Sequence, residues 1–246
     1  MKFLGIIPAR FASSRFPGKL LADLGGKPVI QWVYENAGKE IENIIVATDH
    51  KKIFEAVEGF GGQAMMTLVE HESGTDRCSE VVSRLSKVGK SYDVVLNIQG
   101  DEPFVNPQDL RHLTDMFSEP DTQIATLSTP IRNSEDLFNP NVVKLVRDVN
   151  GYALYFSRQA IPYQRNTPEY DWSSGFTCHK HIGIYAYRSD VLIRISKLDL
   201  SSLEKAEALE QLRWLENGFR IRTGTTQHES IGIDTPDDLD RARKML

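Results

Sequence analysis

Between Lys2 and Thr67, short apolar runs alternate with stretches of helical periodicity, and this alternation constrains the fold more than any other feature. Phe3-Leu4-Gly5-Ile6-Ile7 has the pattern of a buried strand. Pro8 is expected to end it, because proline donates nothing to a sheet ladder. Val29, Ile30, Val33, Tyr34 and Ala37 then recur at helical spacing, and Ile44 to Thr48 is a second strand pattern. Lys51 to Phe60 is helical up to Gly61-Gly62, and Gln63 to Thr67 is a third short strand. The order β, loop, α, β, α, β predicts a parallel sheet covered by helices on both faces.

The later chain extends that sheet and changes its character. Asp93 to Ile98 is a central strand, Pro107 to Phe117 a helix and Ile124 to Thr129 another strand. Val142–Val146 and Tyr152–Phe156 flank an Asn150-Gly151 turn signal, which predicts an antiparallel hairpin. Ile161 to Lys180 is a long polar, aromatic loop, and His181 to Tyr187 alternates like a strand. Loops of that length serve a site or an interface. Leu203, Ala206, Leu209, Leu212 and Leu215 predict one amphipathic helix from Ser202 to Glu216, followed by a late strand, Phe219 to Thr225. Thr235 as cap and Pro236 at the first helical position mark a last helix. A chain of 246 residues with 40% hydrophobic content can bury this as one domain, with 131–190 as a subdomain for a second substrate or a dimer contact.

Candidate chemistry sits where these strands end. In open α/β sheets, ligands bind beyond the carboxyl ends of the strands. The first strand runs into Arg10-Phe11-Ala12-Ser13-Ser14-Arg15-Phe16-Pro17-Gly18-Lys19, whose cations suit a polyphosphate, although surface loops also carry solvated cations. GxxxxGK[ST] and GxGxxG are both absent, which excludes a Walker loop and disfavours a dinucleotide cofactor. Asp101, just past the central strand and Gly100, has the position of a magnesium ligand; the plain alternative is a turn aspartate bonding its own backbone. Asp234 precedes the last cap and is free to act as a second ligand. In Glu72-Ser73-Gly74-Thr75-Asp76-Arg77, Thr75 or Asp76 reads as the cap of a helix from Cys78, and Ser73-Gly74 permits close backbone approach to a ligand.

Other classes are disfavoured. A net charge of -5 argues against general nucleic-acid binding, and Cys78 and Cys178 form neither a zinc motif nor a disulfide framework. No apolar stretch reaches membrane length, and Pro8 and Arg10 interrupt the N-terminal run too early for a signal peptide. The expectation is a cytoplasmic protein without membrane insertion.

Six stretches together resemble the 3-deoxy-manno-octulosonate cytidylyltransferase (CMP-Kdo synthetase) family: IIPARFASSRFPGKLL at Ile6, ESGTDR at Glu72, NIQGDEP at Asn97, HIGIYAYR at His181, LEQLRWLENG at Leu209 and GIDTPDDLDRA at Gly232. The resemblance spans nearly the whole chain. It implies a nucleotide-diphospho-sugar-transferase-like α/β/α sandwich with a mixed, mainly parallel sheet. It implies a homodimer that needs Mg2+ and transfers CMP from CTP to Kdo for lipopolysaccharide biosynthesis, releasing pyrophosphate. A cytidylyltransferase for another ulosonic or sialic acid is the alternative. By the same resemblance Ala9, Arg10, Lys19, Ser73, Gly74, Arg77 and Gln99 hold the nucleotide. Arg15, Gln99, Arg158, His181, Tyr185, Glu210 and Gln211 hold the sugar. Asp101 and Asp234 hold the metal, and with Arg10 and Lys19 they form the catalytic set. On residue type alone, His181 reads as a satisfied strand histidine and Glu210 and Gln211 as a solvated helix face.

Overall fold

The computed structural model describes residues 1–12, 15–229 and 231–246. In chain order its elements begin with β1 (Phe3–Ala9), β2 (Asp23–Leu24), β3 (Lys27–Pro28), α1 (Val29–Ala37), β4 (Ile44–Thr48), α2 (Lys51–Gly59) and β5 (Ala64–Met66). Next come α3 (Gly74–Lys87), β6 (Val94–Asn97), α4 (Pro107–Asp115), β7 (Ile124–Pro130), α5 (Ser134–Phe138), β8 (Lys144–Arg147) and β9 (Ala153–Ser157). The chain closes with α6 (Trp172–Gly175), β10 (His179–Arg188), α7 (Ser189–Ile195), α8 (Ser202–Glu207), α9 (Glu210–Glu216), β11 (Ile221–Thr225) and α10 (Pro236–Arg243).

The chain divides into two compact units, one of Met1–Thr114, Ala186–Ser196 and Ser230–Leu246, the other of Asp115–Tyr185 and Lys197–Glu229. Residues Ala186 to Ser196 belong with the first unit because α7 is tied there: Ser189 donates its N–H to Asp93 O and its hydroxyl to Tyr92 O, and Ser196 Oγ donates to Ser79 Oγ.

The first unit is built on parallel strands in the order β6-β1-β4-β5. β1 is apolar along its whole length because it is covered on both faces, as a central parallel strand must be; Leu4, Ile6, Ile7 and Ala9 are fully buried. Contrary to the expectation from sequence, β1 continues through Pro8 to Ala9, in register with Ala47 and Thr48. The reason lies in the ladder. Gly5 donates toward β4 while Ile6 O accepts from Ile98 on the β6 side. Pro8, two residues after Ile6, therefore directs its missing N–H to the side where pairing with β6 has already ended, at Ile6↔Asn97. After β6 the chain folds against this strand end. A Cβ on Gly100 would stand 2.9 Å from the Pro8 carbonyl oxygen, so only glycine fits there.

In the second unit β7 and β11 are parallel, whereas β8 pairs antiparallel with both β9 and β10. The β8–β9 hairpin turns as expected through Asp148 to Gly151, with Gly151 at φ 81 and Asp148 Oδ1 accepting from the Asn150 and Tyr152 amides. The long loop before β10 is less irregular than expected. It contains a short 3-10 turn, Glu169–Asp171, and α6, held around Trp172, which is 4% exposed beside Ile131, Leu137 and Cys178.

The single helix expected from Ser202 to Glu216 is two helices. Ala208 lies at φ 51, ψ 49 between α8 and α9. Arg158 explains the break: Nε donates to Glu207 O at 2.7 Å and Nη2 to Ala208 O at 3.3 Å, capturing carbonyls that a continuous helix would use. The apolar periodicity survives the break, which is why the sequence pattern did not reveal it.

Candidate active site

The nucleotide-side residues converge at the carboxyl ends of β1 and β6, inside the first unit. A cavity of about 360 Å3 is lined by Pro8, Arg10, Ala12, Arg15, Lys19, Leu20, Gly74, Gln99, Gly100, Asp101 and Asp234. A larger hollow, about 710 Å3, lies around Met1, Lys2 and Phe3 at the opposite strand end. The functional groups and the general rule for α/β sheets both favour the smaller one.

The cationic loop after β1 is closed by Gly18, whose N–H donates to Phe11 O and whose φ of 73 is easiest for glycine. The Phe11 ring stacks on His50 at 4.0 Å. Ser13 and Ser14, the hydroxyl pair of this loop, lie outside the described residues. Lys19 follows Gly18 in a 3-10 turn and extends its ammonium between two carboxylates, 2.5 Å from Asp101 Oδ2 and 2.9 Å from Asp234 Oδ1. Arg15 reaches the other oxygen of Asp234 at 2.9 Å. Burial opposes the charge on Lys19, but Asp101 and Asp234 outweigh it and raise its pKa above the ordinary value. Arg10 donates through Nη2 to the carbonyl of His71.

Backbone contacts explain how two distant aspartates meet. Ile233 N–H donates to Asp101 O at 2.9 Å, which joins the two segments directly. Thr235 caps α10 in a capping box with Asp238, and Asp238 Oδ2 also accepts from the Asp234 N–H at 3.0 Å. Asp234 is thus fixed at the mouth of a helix while its own carboxylate stays 41% exposed.

The ESGTDR stretch departs from expectation. Ser73, not Thr75 or Asp76, is the cap of α3, and Asp76 completes its capping box. Gly74 lines the cavity, but its lack of a side chain also serves packing: a Cβ would stand 3.3 Å from Pro8 Cγ and 3.4 Å from Asn97 Nδ2. Neither Ser73 nor Arg77 is among the lining residues. Arg77 is fully buried, with Nη2 on Asp49 Oδ2 at 2.8 Å and Nη1 on Thr67 Oγ1 and Leu68 O. Its guanidinium is engaged in holding the ends of β4 and β5 rather than facing the opening. Asp49 was the residue that sequence reasoning passed over, and Asp238, legible as a complement to the dipole of the last helix, also closes a capping box. The T-x-x-D spacing of a capping box at Thr235 was the available signal for Asp238; nothing local marked Asp49.

Of the remaining candidates, Arg15 and Gln99 line the cavity of the first unit, and the others gather in the second. His181 accepts or donates at Thr126 Oγ1, 2.9 Å away, between the rings of Phe156 and Tyr185. Desolvation pushes its pKa down to about 3, so the imidazole is neutral near pH 7. Tyr185 packs edge-on against Trp214, and burial, followed by the nearby Glu210 carboxylate, raises its pKa well above the ordinary value. Glu210 and Gln211 open α9; Glu210 accepts from Arg213 at 2.8 Å and Gln211 is buried, so neither is the solvated face that residue type alone suggests. Arg158 donates its guanidinium to the carbonyls of Glu207, Pro140 and Ala208.

The sequence model of the family described as Cytidylyltransferase matches residues 4–223. The 3-deoxy-manno-octulosonate cytidylyltransferase of Phocaeicola vulgatus is 55% identical over 249 residues, covering 100% of this chain and 98% of that protein. That of Parabacteroides distasonis is 52% identical over 250 residues, with the same coverage. A solved CMP:2-keto-3-deoxy-manno-octonic acid synthetase complexed with CTP superposes with a TM-score of 0.91 at 42% identity, covering 100% of this chain and 98% of that one. A 4-diphosphocytidyl-2C-methyl-D-erythritol synthase from Anaerococcus prevotii, at 16% identity, 99% and 98% coverage and TM-score 0.61, shares the fold.

Proposed function

The chain belongs to the 3-deoxy-manno-octulosonate cytidylyltransferase family, and from that premise we propose that it transfers CMP from CTP to 3-deoxy-D-manno-octulosonate (Kdo), releasing pyrophosphate. The observation that carries the reading is the convergence of Asp101 and Asp234 on one cation, beside Arg10 and Arg15, at the carboxyl ends of β1 and β6. The reaction is an in-line displacement. The anomeric hydroxyl oxygen of the sugar bonds to the α-phosphorus, the bond from that phosphorus to the bridging oxygen breaks, the hydroxyl proton passes to solvent, and pyrophosphate leaves as an anion.

Arg10 and Lys19 hold phosphate oxygens whose charge grows as the bond to pyrophosphate breaks. Ala9, Ser73, Gly74, Arg77 and Gln99 complete the nucleotide side; from its buried position Arg77 supports that wall through Asp49 and Thr67. Arg15, Gln99, Arg158, His181, Tyr185, Glu210 and Gln211 take the acidic sugar. Arg158 meets it by exchanging one of its present carbonyl partners for the sugar carboxylate. His181, neutral between Phe156 and Tyr185, serves as a hydrogen-bonding group rather than a cation.

Asp101 and Asp234 fit Mg2+. They already accommodate a cation, and magnesium needs only one or two protein carboxylates when phosphates and water fill the rest of its octahedron. When bound it would neutralise phosphate oxygens and lower the pKa of the attacking hydroxyl. A homodimer is part of the same proposal and is carried over from the family resemblance. Supply of activated Kdo to lipopolysaccharide assembly, in the cytoplasm, follows from the product. Among the described residues, no helix is long and apolar enough to cross a membrane.

The test is pyrophosphate release from CTP and Mg2+ with Kdo, with a sialic acid in parallel. Release with Kdo, and a loss of at least roughly a hundredfold in kcat on Asp101→Asn or Asp234→Asn, is expected. Release only with the sialic acid would move the substrate to the alternative acid. Wild-type turnover in both variants at low magnesium would overturn the metal assignment.

A further inference from the structure

Lys19 stands where the divalent cation belongs. Its side chain is 12% exposed, and its ammonium touches one oxygen of each proposed metal ligand, at 2.5 and 2.9 Å. Magnesium sits about 2.1 Å from its oxygen ligands. Any ion bound to Asp101 Oδ2 is then within about 4.6 Å of Nζ in this arrangement. A divalent ion and an ammonium repel strongly at that range inside a partly buried cleft. The two cations compete for one pair of carboxylates.

We propose that Lys19 is a resident counter-ion, filling the cation position between Asp101 and Asp234 until a nucleotide triphosphate draws it onto phosphate oxygens, so that metal enters tightly only together with nucleotide. Three features carry this. Lys19 is attached to a turn fixed by Gly18 at φ 73, so its ammonium moves by side-chain rotation while the backbone stays anchored. Arg10 and Arg15 share its cavity, so incoming phosphates find a cationic wall that Lys19 can join. Asp101 and Asp234 are held by backbone bonds that do not involve Lys19: Ile233 N–H on Asp101 O, and Asp238 on the Asp234 N–H. The carboxylates therefore stay in place when the lysine leaves. The coupling is reciprocal, so metal must also tighten nucleotide binding by releasing Lys19. The inference rests on the reading of Asp101 and Asp234 as metal ligands.

The experiment uses Mn2+ as the probe on the full chain without nucleotide, with free ion counted by electron paramagnetic resonance. Wild type is compared with Lys19→Met, Lys19→Gln, Arg10→Met and Asp101→Asn; two lysine variants guard against one that misfolds. The expected result is Mn2+ binding about tenfold or more tighter in the Lys19 variants than in wild type, and unchanged in Arg10→Met, whose charge shares the cavity without touching either carboxylate. Equal tightening in Arg10→Met would reduce the effect to net charge and overturn the proposal. A second arm adds CTP and counts protein-retained Mn2+ by equilibrium dialysis. Retention in wild type but not in Asp101→Asn, without tightening in the Lys19 variants, would sink the counter-ion role and leave the metal ligands standing. Retention unaffected by Asp101→Asn would remove the ligand assignment and the proposal with it.

Discussion

Asp238 gives the most quantitative handle on how the site is held. It is 9% exposed and accepts from the Asp234 N–H at 3.0 Å, from the Thr235 N–H and hydroxyl at 2.8 Å each, and from Arg241. Burial penalises its charge, yet the bonds from Thr235, Arg241 and the two backbone N–H groups outweigh that penalty and hold its pKa near 2, against an ordinary 3.8. That gap corresponds to roughly 2–3 kcal/mol of stability at pH 7. Arg241 is 70% exposed, so its share is screened, and capping substitutions cost about 0.5–2 kcal/mol. Asp238→Ala should therefore lose about 2 kcal/mol in urea unfolding at pH 7. The sign with pH follows from the depressed pKa. The contribution is complete well above 3.8 and fades as pH falls through 2, so the gap between wild type and variant should shrink to roughly half near pH 3. Coincident unfolding at pH 7, or a gap that stays the same at pH 3, would refute this account of how Asp234 is positioned.

Two further outcomes follow from single residues. The His181 imidazole, neutral because desolvation holds its pKa near 3, should show no NMR titration above pH 5. As the unfolded chain takes up that proton and the native one does not, stability should fall as pH drops from about 6.5 toward 3, and His181→Gln should flatten the slope; a titration midpoint near 6.5 would contradict it. Ala208 occupies the left-handed region at φ 51, where glycine is unstrained, so Ala208→Gly should stabilise the protein by about 1 kcal/mol in urea unfolding. A loss of stability would mean that the α8–α9 corner does not carry that strain.

Much of the fold was legible because it is written in local periodicity. Strands buried on both faces must be apolar throughout, so β1, β4 and β6 were visible as runs, and their alternation with α1 and α2 dictated parallel pairing. The cap of α10 was visible because Thr235-Pro236 is a local chemical signal. Asp101 and Asp234 were separable from the other acidic residues by position alone, one beyond a strand and one before a cap. Where a neighbouring segment decides the outcome, local pattern is blind. Pro8 remains in a strand because of which side of β1 has lost its partner. The helix from Ser202 breaks because Arg158, distant in sequence, takes two of its carbonyls. Arg77 and Lys19 are both cations in matching motifs, yet Asp49 buries one while Asp101 and Asp234 draw the other into the cleft. Which residues are charged, and which strands bring them to one edge, is written along the chain. Which charges meet is settled in three dimensions, because a carboxylate's partner is set by distances across the fold and not by spacing along the chain.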